Sequence, residues 1–219
     1  MVEISTSILS VQKENILSAI YNLEFAKTDY FHIDVMDGEF VKNSTKEIMQ
    51  EYCSNIRQIS NLPLDVHLMV NDIYSYINAY LPYEPNLLTF HIEACKDENE
   101  AKEMIDFIKE NNVKVGIAIK PNTNLEEIYS LLPYLHMVLV MTVEPGYGGQ
   151  KLIPETIDKV KELKKYIENK NIDLDIEVDG GINLENVEEL KIAGANVIVA
   201  GTSIINSADY KETILNLKK

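Results

Sequence analysis

Short apolar segments alternate eight times with stretches of helical apolar spacing along the whole chain. That alternation is the strongest constraint on the fold. The apolar segments cover residues 3–9, 30–36, 62–70, 86–94, 113–119, 137–143, 174–179 and 195–201. Those at 86–94, 113–119, 137–143 and 195–201 are near-continuous apolar runs, as expected of parallel strands covered on both faces. Strand–helix repetition builds a parallel sheet. Eight units in 219 residues suit a closed (β/α)8 barrel. The competing architecture is a doubly wound open sheet, and its GxGxxG fingerprint is absent after the first segment. No composition shift or linker marks a boundary, so residues 1–219 are expected to form one TIM-barrel domain.

The segment at 30–36, Tyr-Phe-His-Ile-Asp-Val-Met, carries the chemistry. In a strand, residues two apart share a face. Phe31, Ile33 and Val35 therefore point one way, and His32, Asp34 and Met36 the other. The third segment repeats the scheme with Asp65, His67 and Met69. The seventh ends in Asp179 followed by Gly180 and Gly181. Barrel active sites lie at the C-terminal ends of the strands, and Asp34, Met36, His67, Met69, Asp179 and its glycines fall there together with Ser7, Met141, the Gly146–Gly149 loop, Gly201 and Thr202.

Imidazole and carboxylate suit a divalent cation or an acid–base pair. His32, Asp34, His67 and Asp179 would converge on one cation from three strands. His91 is expected to be structural or to support a ligand, because only Glu93, in a turn, follows it. His136 is expected at the surface. The glycines in Pro-Gly-Tyr-Gly-Gly-Gln (145–150), after Asp179 and at Gly201 free the backbone to approach a ligand closely. Loops after strands 7 and 8 often hold a phosphate in barrels. Met36, Met69 and Met141 are either core filler or soft, polarizable groups that pack over a planar, electron-rich intermediate.

Bulk composition excludes several partners. A formal net charge of −15 argues against nucleic acid and against anionic membranes. It leaves room for a small anionic substrate held by backbone N–H groups. Cys53 and Cys95 show no CxxC spacing and read as free thiols of a cytosolic protein. The first residues lack the features of a signal peptide, and the apolar run 131–143 is too short to span a bilayer. A cytoplasmic location is expected.

These residues resemble the ribulose-phosphate 3-epimerase family. The likeness rests on Ser-Ile-Leu at Ser7, His-Ile-Asp-Val-Met-Asp-Gly-Glu-Phe-Val-Lys-Asn from His32, Asp-Val-His-Leu-Met-Val from Asp65 and Phe-His-Ile-Glu-Ala from Phe90. It continues through Glu-Pro-Gly-Tyr-Gly-Gly-Gln-Lys from Glu144, Ile-Glu-Val-Asp-Gly-Gly-Ile-Asn from Ile176 and Val-Ala-Gly-Thr-Ser-Ile from Val199. It spans essentially the whole chain. It implies a ribulose-phosphate-binding barrel that inverts carbon 3 of a 2-keto sugar phosphate, with D-ribulose 5-phosphate the expected substrate. By the resemblance, Asp34 and Asp179 are the acid–base residues. His32, Asp34, His67 and Asp179 bind one divalent ion, which could be Zn, Fe(II), Mn or Co. Ser7, His67, Gly146, Tyr147, Gly148, Gly149, Gly180, Gly181, Gly201 and Thr202 contact substrate, and Met36, Met69 and Met141 flank the intermediate. A homo-oligomer is expected.

The chain departs from the family pattern at Thr6, Lys42, Tyr147 and Thr202, and in the stretch after Asn43. None of these is an expected ligand or acid–base residue. The altered loop after the second strand leaves a D-allulose 6-phosphate 3-epimerase as an alternative. A sugar-phosphate decarboxylase or aldolase would carry DxKxxD in the third strand, where this chain has Asp65-Val66-His67-Leu68-Met69-Val70. A non-catalytic sugar-phosphate sensor would not need two carboxylates and a ligand set.

Overall fold

Eight parallel strands close on themselves in the order β1 to β8. They are β1 (Glu3–Ser7), β2 (Tyr30–Met36), β3 (Leu64–Met69), β4 (Leu87–His91), β5 (Lys114–Ile119), β6 (Met137–Met141), β7 (Asp175–Asp179) and β8 (Val197–Ala200). The structure is a computed structural model and describes residues 2–219. The expected barrel is therefore observed, and β1 pairing with β8 excludes the open sheet.

Two kinds of strand residue build two kinds of interior. Phe31, Ile33 and Val35 of β2 point outward and are wholly buried beneath the helical layer. Each contributes roughly 1.5–3 kcal/mol of transfer free energy. The helices return the matching faces. Ile16, Ala19, Ile20 and Leu23 of α1 (Ile16–Phe25) are buried at the i, i+3, i+4, i+7 spacing of an amphipathic helix. The inward strand residues fill the barrel itself, and several are polar: Ser5, His32, Asp65, His67, Thr89 and Glu177 are all buried.

Six further helices follow the expected places: α2 (Lys46–Ile59), α3 (Ile73–Tyr80), α4 (Glu98–Glu110), α5 (Glu155–Lys170), α6 (Val187–Ala193) and α8 (Tyr210–Lys218), with a single turn, α7 (Thr202–Ile205), directly after β8. Asp72 caps α3 by accepting the Ser75 N–H at 3.1 Å. Thr45, the residue directly before α2, makes no capping bond. Its hydroxyl instead donates to the Asp34 carbonyl at 2.6 Å and accepts the Met36 N–H at 2.9 Å, fastening the functional end of β2.

The helix expected after β5 is replaced by two 3-10 turns, Leu125–Glu127 and Leu132–Tyr134. The buried residues Leu125, Ile128 and Leu131 recur every third position, the period of a 3-10 helix. Pro133 stands in the first positions of the second turn, where its missing N–H removes no helical bond. Cys53 and Cys95 are free thiols, as expected. No helix among the described residues is long and apolar enough to cross a membrane.

Candidate active site

Strand register assembles the site. β2 and β3 pair so that Asp34 lies beside His67 and Met36 beside Met69. β1 places Ser7 beside His32, and β6 places Met141 beside Asp179. His32 Nε2 lies 3.5 Å from Asp34 Oδ1 and 4.0 Å from Asp179 Oδ2. His67 Nδ1 lies 3.6 Å and 3.8 Å from the same two oxygens. One donor atom from each of the four residues falls within 4.8 Å of every other.

The charges explain what this cluster can hold. Burial alone would raise the Asp34 carboxyl, but the charge and hydrogen bonding of His32, then of His67, hold it well below the usual carboxylate range. Asp179 is pushed up to about 6, by burial first and then by the Asp34 charge beside it. Burial works against a charged His32, yet Asp65 and Asp34 outweigh it and raise its pKa well above the ordinary value. The cluster therefore favours positive charge at its centre. His32 Nε2 and His67 Nδ1 are both buried without a hydrogen-bond partner, and both face the two carboxylates. Leaving such atoms unpaired costs free energy. A divalent cation satisfies both nitrogens and both carboxylates, so the residues fit a metal centre.

Supporting contacts orient three of the four residues. Ser7 donates to Asp34 Oδ2 at 2.7 Å. His32 Nδ1 lies 2.6 Å from Asp65 Oδ2, which also accepts from Ser5 Oγ at 2.6 Å. A carboxylate behind a ligating imidazole fixes its tautomer. Glu177 is wholly buried next to Asp65, and burial followed by the Asp65 charge pushes its carboxyl well above the usual range. His91 joins from β4: its Nε2 is 2.9 Å from His67 Nε2, and its Nδ1 is 2.9 Å from Glu93 Oε2. Burial pushes His91 down to about 4, which keeps it neutral.

A cleft opens above the cluster at the C-terminal rim of the barrel. Ser7, Asp34, Asp179, Met36, Met69 and Met141 line it together with Gly146, Tyr147, Gly148, Gly149, Gly180, Gly181, Gly201 and Thr202. His32 and His67 lie below, with no exposed surface. The residues expected to hold metal, move protons or contact substrate thus lie in or directly beneath one cleft. The three Met side chains are almost wholly buried and form the wall of the cleft, so they are core and lining at once.

Gly180 and Gly181 are required by geometry. Both have positive φ, +122° and +68°. A Cβ on Gly180 would stand 2.3 Å from Val143 Cγ2, and one on Gly181 would stand 2.4 Å from the Leu152 backbone nitrogen. Asn43, from the loop after β2, donates to the Gly146 carbonyl at 2.7 Å and ties that loop to the glycine loop after β6. His136 is exposed, as expected, and its Nδ1 accepts the Val115 N–H at 3.2 Å.

The supporting roles of Asp65, Glu177, Thr45 and Glu93 escaped sequence reasoning. Asp65 shares a strand face with His67, which is a signal for position. What it bonds depends on pairing with a distant strand.

Comparison with known proteins decides the family. The model of the "Ribulose-phosphate 3 epimerase family" matches residues 3–205. The chain belongs to the ribulose-phosphate 3-epimerase family. A ribulose-phosphate 3-epimerase of Bacillus subtilis (strain 168) is 39% identical, with 100% of this chain and 99% of that one aligned. The corresponding protein of Methanocaldococcus jannaschii is 38% identical over 100% of this chain and 91% of its own. Family membership makes the chain an epimerase, an isomerase acting on carbohydrates. Among solved structures, the 3-keto-L-gulonate-6-phosphate decarboxylase of Vibrio cholerae superposes with a TM-score of 0.75 at 12% identity, covering 100% of this chain and 96% of that one. At that identity the likeness concerns the fold alone.

Proposed function

We propose that this chain interconverts D-ribulose 5-phosphate and D-xylulose 5-phosphate by proton removal and return at carbon 3. The observation that carries the reading is the pair Asp34 and Asp179, held in one cleft directly above two imidazoles whose inward nitrogens lack partners. Inversion removes the carbon 3 proton from one face and delivers one to the other. One carboxylate cannot serve both faces.

In the free site the two carboxyls are set apart, Asp34 low and Asp179 at about 6. Asp34, ionised at any working pH, takes the proton and breaks the C–H bond in those sites whose Asp179 holds a proton. The electron pair moves onto the carbonyl oxygen as an enediolate forms across carbons 2 and 3. Asp179 returns a proton to the opposite face of carbon 3 and the carbonyl is restored. The two carboxyls then exchange roles for the reverse reaction. Ser7 steadies Asp34 at 2.7 Å, and the methionine wall keeps water from the flat intermediate. His32, Asp34, His67 and Asp179 would hold one divalent ion, and Zn, Fe(II), Mn and Co all suit the donor set. When bound, such a ion supplies positive charge next to the oxygens on which negative charge develops. The glycine backbones of 146–149, 180–181 and 201, with Thr202, are placed for the phosphate.

The same reading makes the protein a single-domain cytoplasmic homo-oligomer. Support for self-association comes from α1. Leu17, Tyr21 and Phe25 stand one turn apart, more than half exposed, on a helix whose one charged residue is Glu24. An uncharged apolar stripe on a chain of net charge −15 is where two copies can approach without repulsion.

A paired assay tests the function. D-ribulose 5-phosphate and D-allulose 6-phosphate are each incubated with metal-loaded and chelated protein, and the epimers are quantified. Preference for the five-carbon substrate with loss on chelation is expected. Preference for the six-carbon substrate would move the protein to the sister activity, and turnover of neither would refute the reading.

A further inference from the structure

The hydrogen bonds behind His67 run in one direction, and a backbone amide fixes that direction. Glu93, in the 3-10 turn Ile92–Ala94 after β4, accepts at Oε1 from the Lys120 backbone N–H at 2.6 Å and from the Thr123 hydroxyl. A backbone N–H can only donate, so this oxygen is an acceptor. The two donors hold Oε1, so Oε2 is the oxygen left to meet His91. This other oxygen faces His91 Nδ1 at 2.9 Å and accepts its N–H. With its Nδ1 proton given to Glu93, His91 meets His67 through the lone pair of its Nε2. That lone pair faces His67 Nε2 at 2.9 Å. Two lone pairs do not meet at hydrogen-bond distance, so His67 carries its proton on Nε2. The lone pair of His67 is left on Nδ1, the atom that faces Asp34 and Asp179.

The relay is built to hold this state. His67 and His91 have no exposed surface. The Phe40 ring covers His91 with centroids 4.9 Å apart, and Lys120 Nζ lies 3.9 Å over Phe40. Lys159 Nζ gathers the carbonyls of Lys120, Pro121 and Thr123 at 3.1, 2.6 and 2.5 Å, which holds the loop that supplies the donors to Glu93.

From this geometry we infer that Glu93 is a positioning residue of the metal centre, acting through His91 to fix His67 as the Nε2–H tautomer with its Nδ1 lone pair aimed at the cation. Asp65 does the same for His32 in one step. The two ligating imidazoles are thus set by two separate carboxylates, one adjacent and one an imidazole further away. The inference rests on the metal-centre reading given under the proposed function.

Glu93→Gln is the discriminating variant. A carboxamide has one acceptor oxygen, while the site asks for acceptors on both sides: His91 Nδ1–H on one, Lys120 N–H and Thr123 on the other. One side must face an NH2 group, and the relay loses its direction. Two quantities are measured. The first is the tautomer of His67 in the metal-free protein, from side-chain nitrogen-15 NMR, which needs resolution of only four histidines. The second is the affinity for Zn(II) and for Mn(II), by competition with a chelator.

Wild type should show His67 protonated on Nε2. Glu93→Gln should show a mixture of tautomers and bind the cation roughly 10–100-fold more weakly. His91→Phe, which removes the acceptor altogether, should do the same and replaces Glu93→Gln if that variant does not fold. Unchanged tautomer and unchanged affinity in these variants would overturn the inference while the metal centre stands. A wild-type protein that binds neither cation would overturn the metal-centre reading, and the inference with it.

Discussion

Removing the Asp179 charge should stabilise the metal-free protein while destroying its activity. The Asp179 carboxyl stands at about 6 instead of 3.8, because it is buried and lies beside Asp34. Its side chain is 17% exposed and makes no hydrogen bond within the protein shorter than its 3.8 Å approach to His67. Ionising it in the folded state therefore costs about 2 to 3 kcal/mol more than in the unfolded chain, at 1.36 kcal/mol per pKa unit. The sign follows from linkage. A carboxyl raised on folding favours the fold below the unfolded value near 3.8 and loses that contribution as pH rises through about 6. Above pH 6 the whole penalty is present, and Asp179→Asn, which cannot ionise, escapes it. For a chain of this size, 1 kcal/mol moves Tm by about 2–4 °C, so the chelated variant should melt roughly 4–12 °C above chelated wild type at pH 8. The gap should shrink on acidification and vanish near pH 4. Circular dichroism melts with excess chelator provide the assay. A variant no more stable than wild type at pH 8 would refute the electrostatic reasoning, whatever its activity.

Other expectations concern the chemistry and the scaffold. Asp34→Asn and Asp179→Asn should each lower kcat by at least about 10²–10⁴-fold with the circular dichroism spectrum retained; near-normal turnover in either would remove it from the acid–base pair. Metal affinity should fall as pH drops through about 6, where Asp179 takes up a proton that competes with the cation, and titration calorimetry between pH 5 and 8 reads this directly. Gly180→Ala should destabilise by about 1–3 kcal/mol, since its Cβ meets Val143 at 2.3 Å and its φ is +122°, and should raise KM for the sugar phosphate. Tyr21→Glu should shift the protein toward monomer in sedimentation at unchanged fold, because it sets a charge in the middle of the α1 stripe; an unmoved distribution would place self-association elsewhere.

The parts of this protein legible in its sequence are those governed by short-range periodicity. The two-residue alternation of β2 and β3 separated an apolar outer face from an inner face of His32, Asp34, Asp65 and His67, and the barrel closed as expected from eight strand–helix units. The cluster of His32, Asp34, His67 and Asp179 was legible because each lies on the inward face of a strand, where a parallel barrel gathers side chains. What depended on contacts between distant segments was not. Thr45 looks like a helix cap by its neighbours, yet its hydroxyl is used by β2. The segment after β5 has helical composition, but its buried residues repeat every third position and it forms two 3-10 turns. Glu93 follows His91 by two residues in a turn, and nothing local reveals that its far oxygen is held by Lys120 and Thr123 across the β4–β5 gap.

The central claim is that Asp34 and Asp179 move protons on opposite faces of carbon 3. The most direct test is to run D-ribulose 5-phosphate with metal-loaded protein in deuterium oxide and follow carbon 3 by proton NMR at early conversion. Two separate carboxylates predict product that carries solvent deuterium at carbon 3 from the first turnovers, while unreacted substrate still carries its original proton. Product that keeps the substrate's own proton at carbon 3 would contradict the account, because it would mean that one group carries the same proton from face to face.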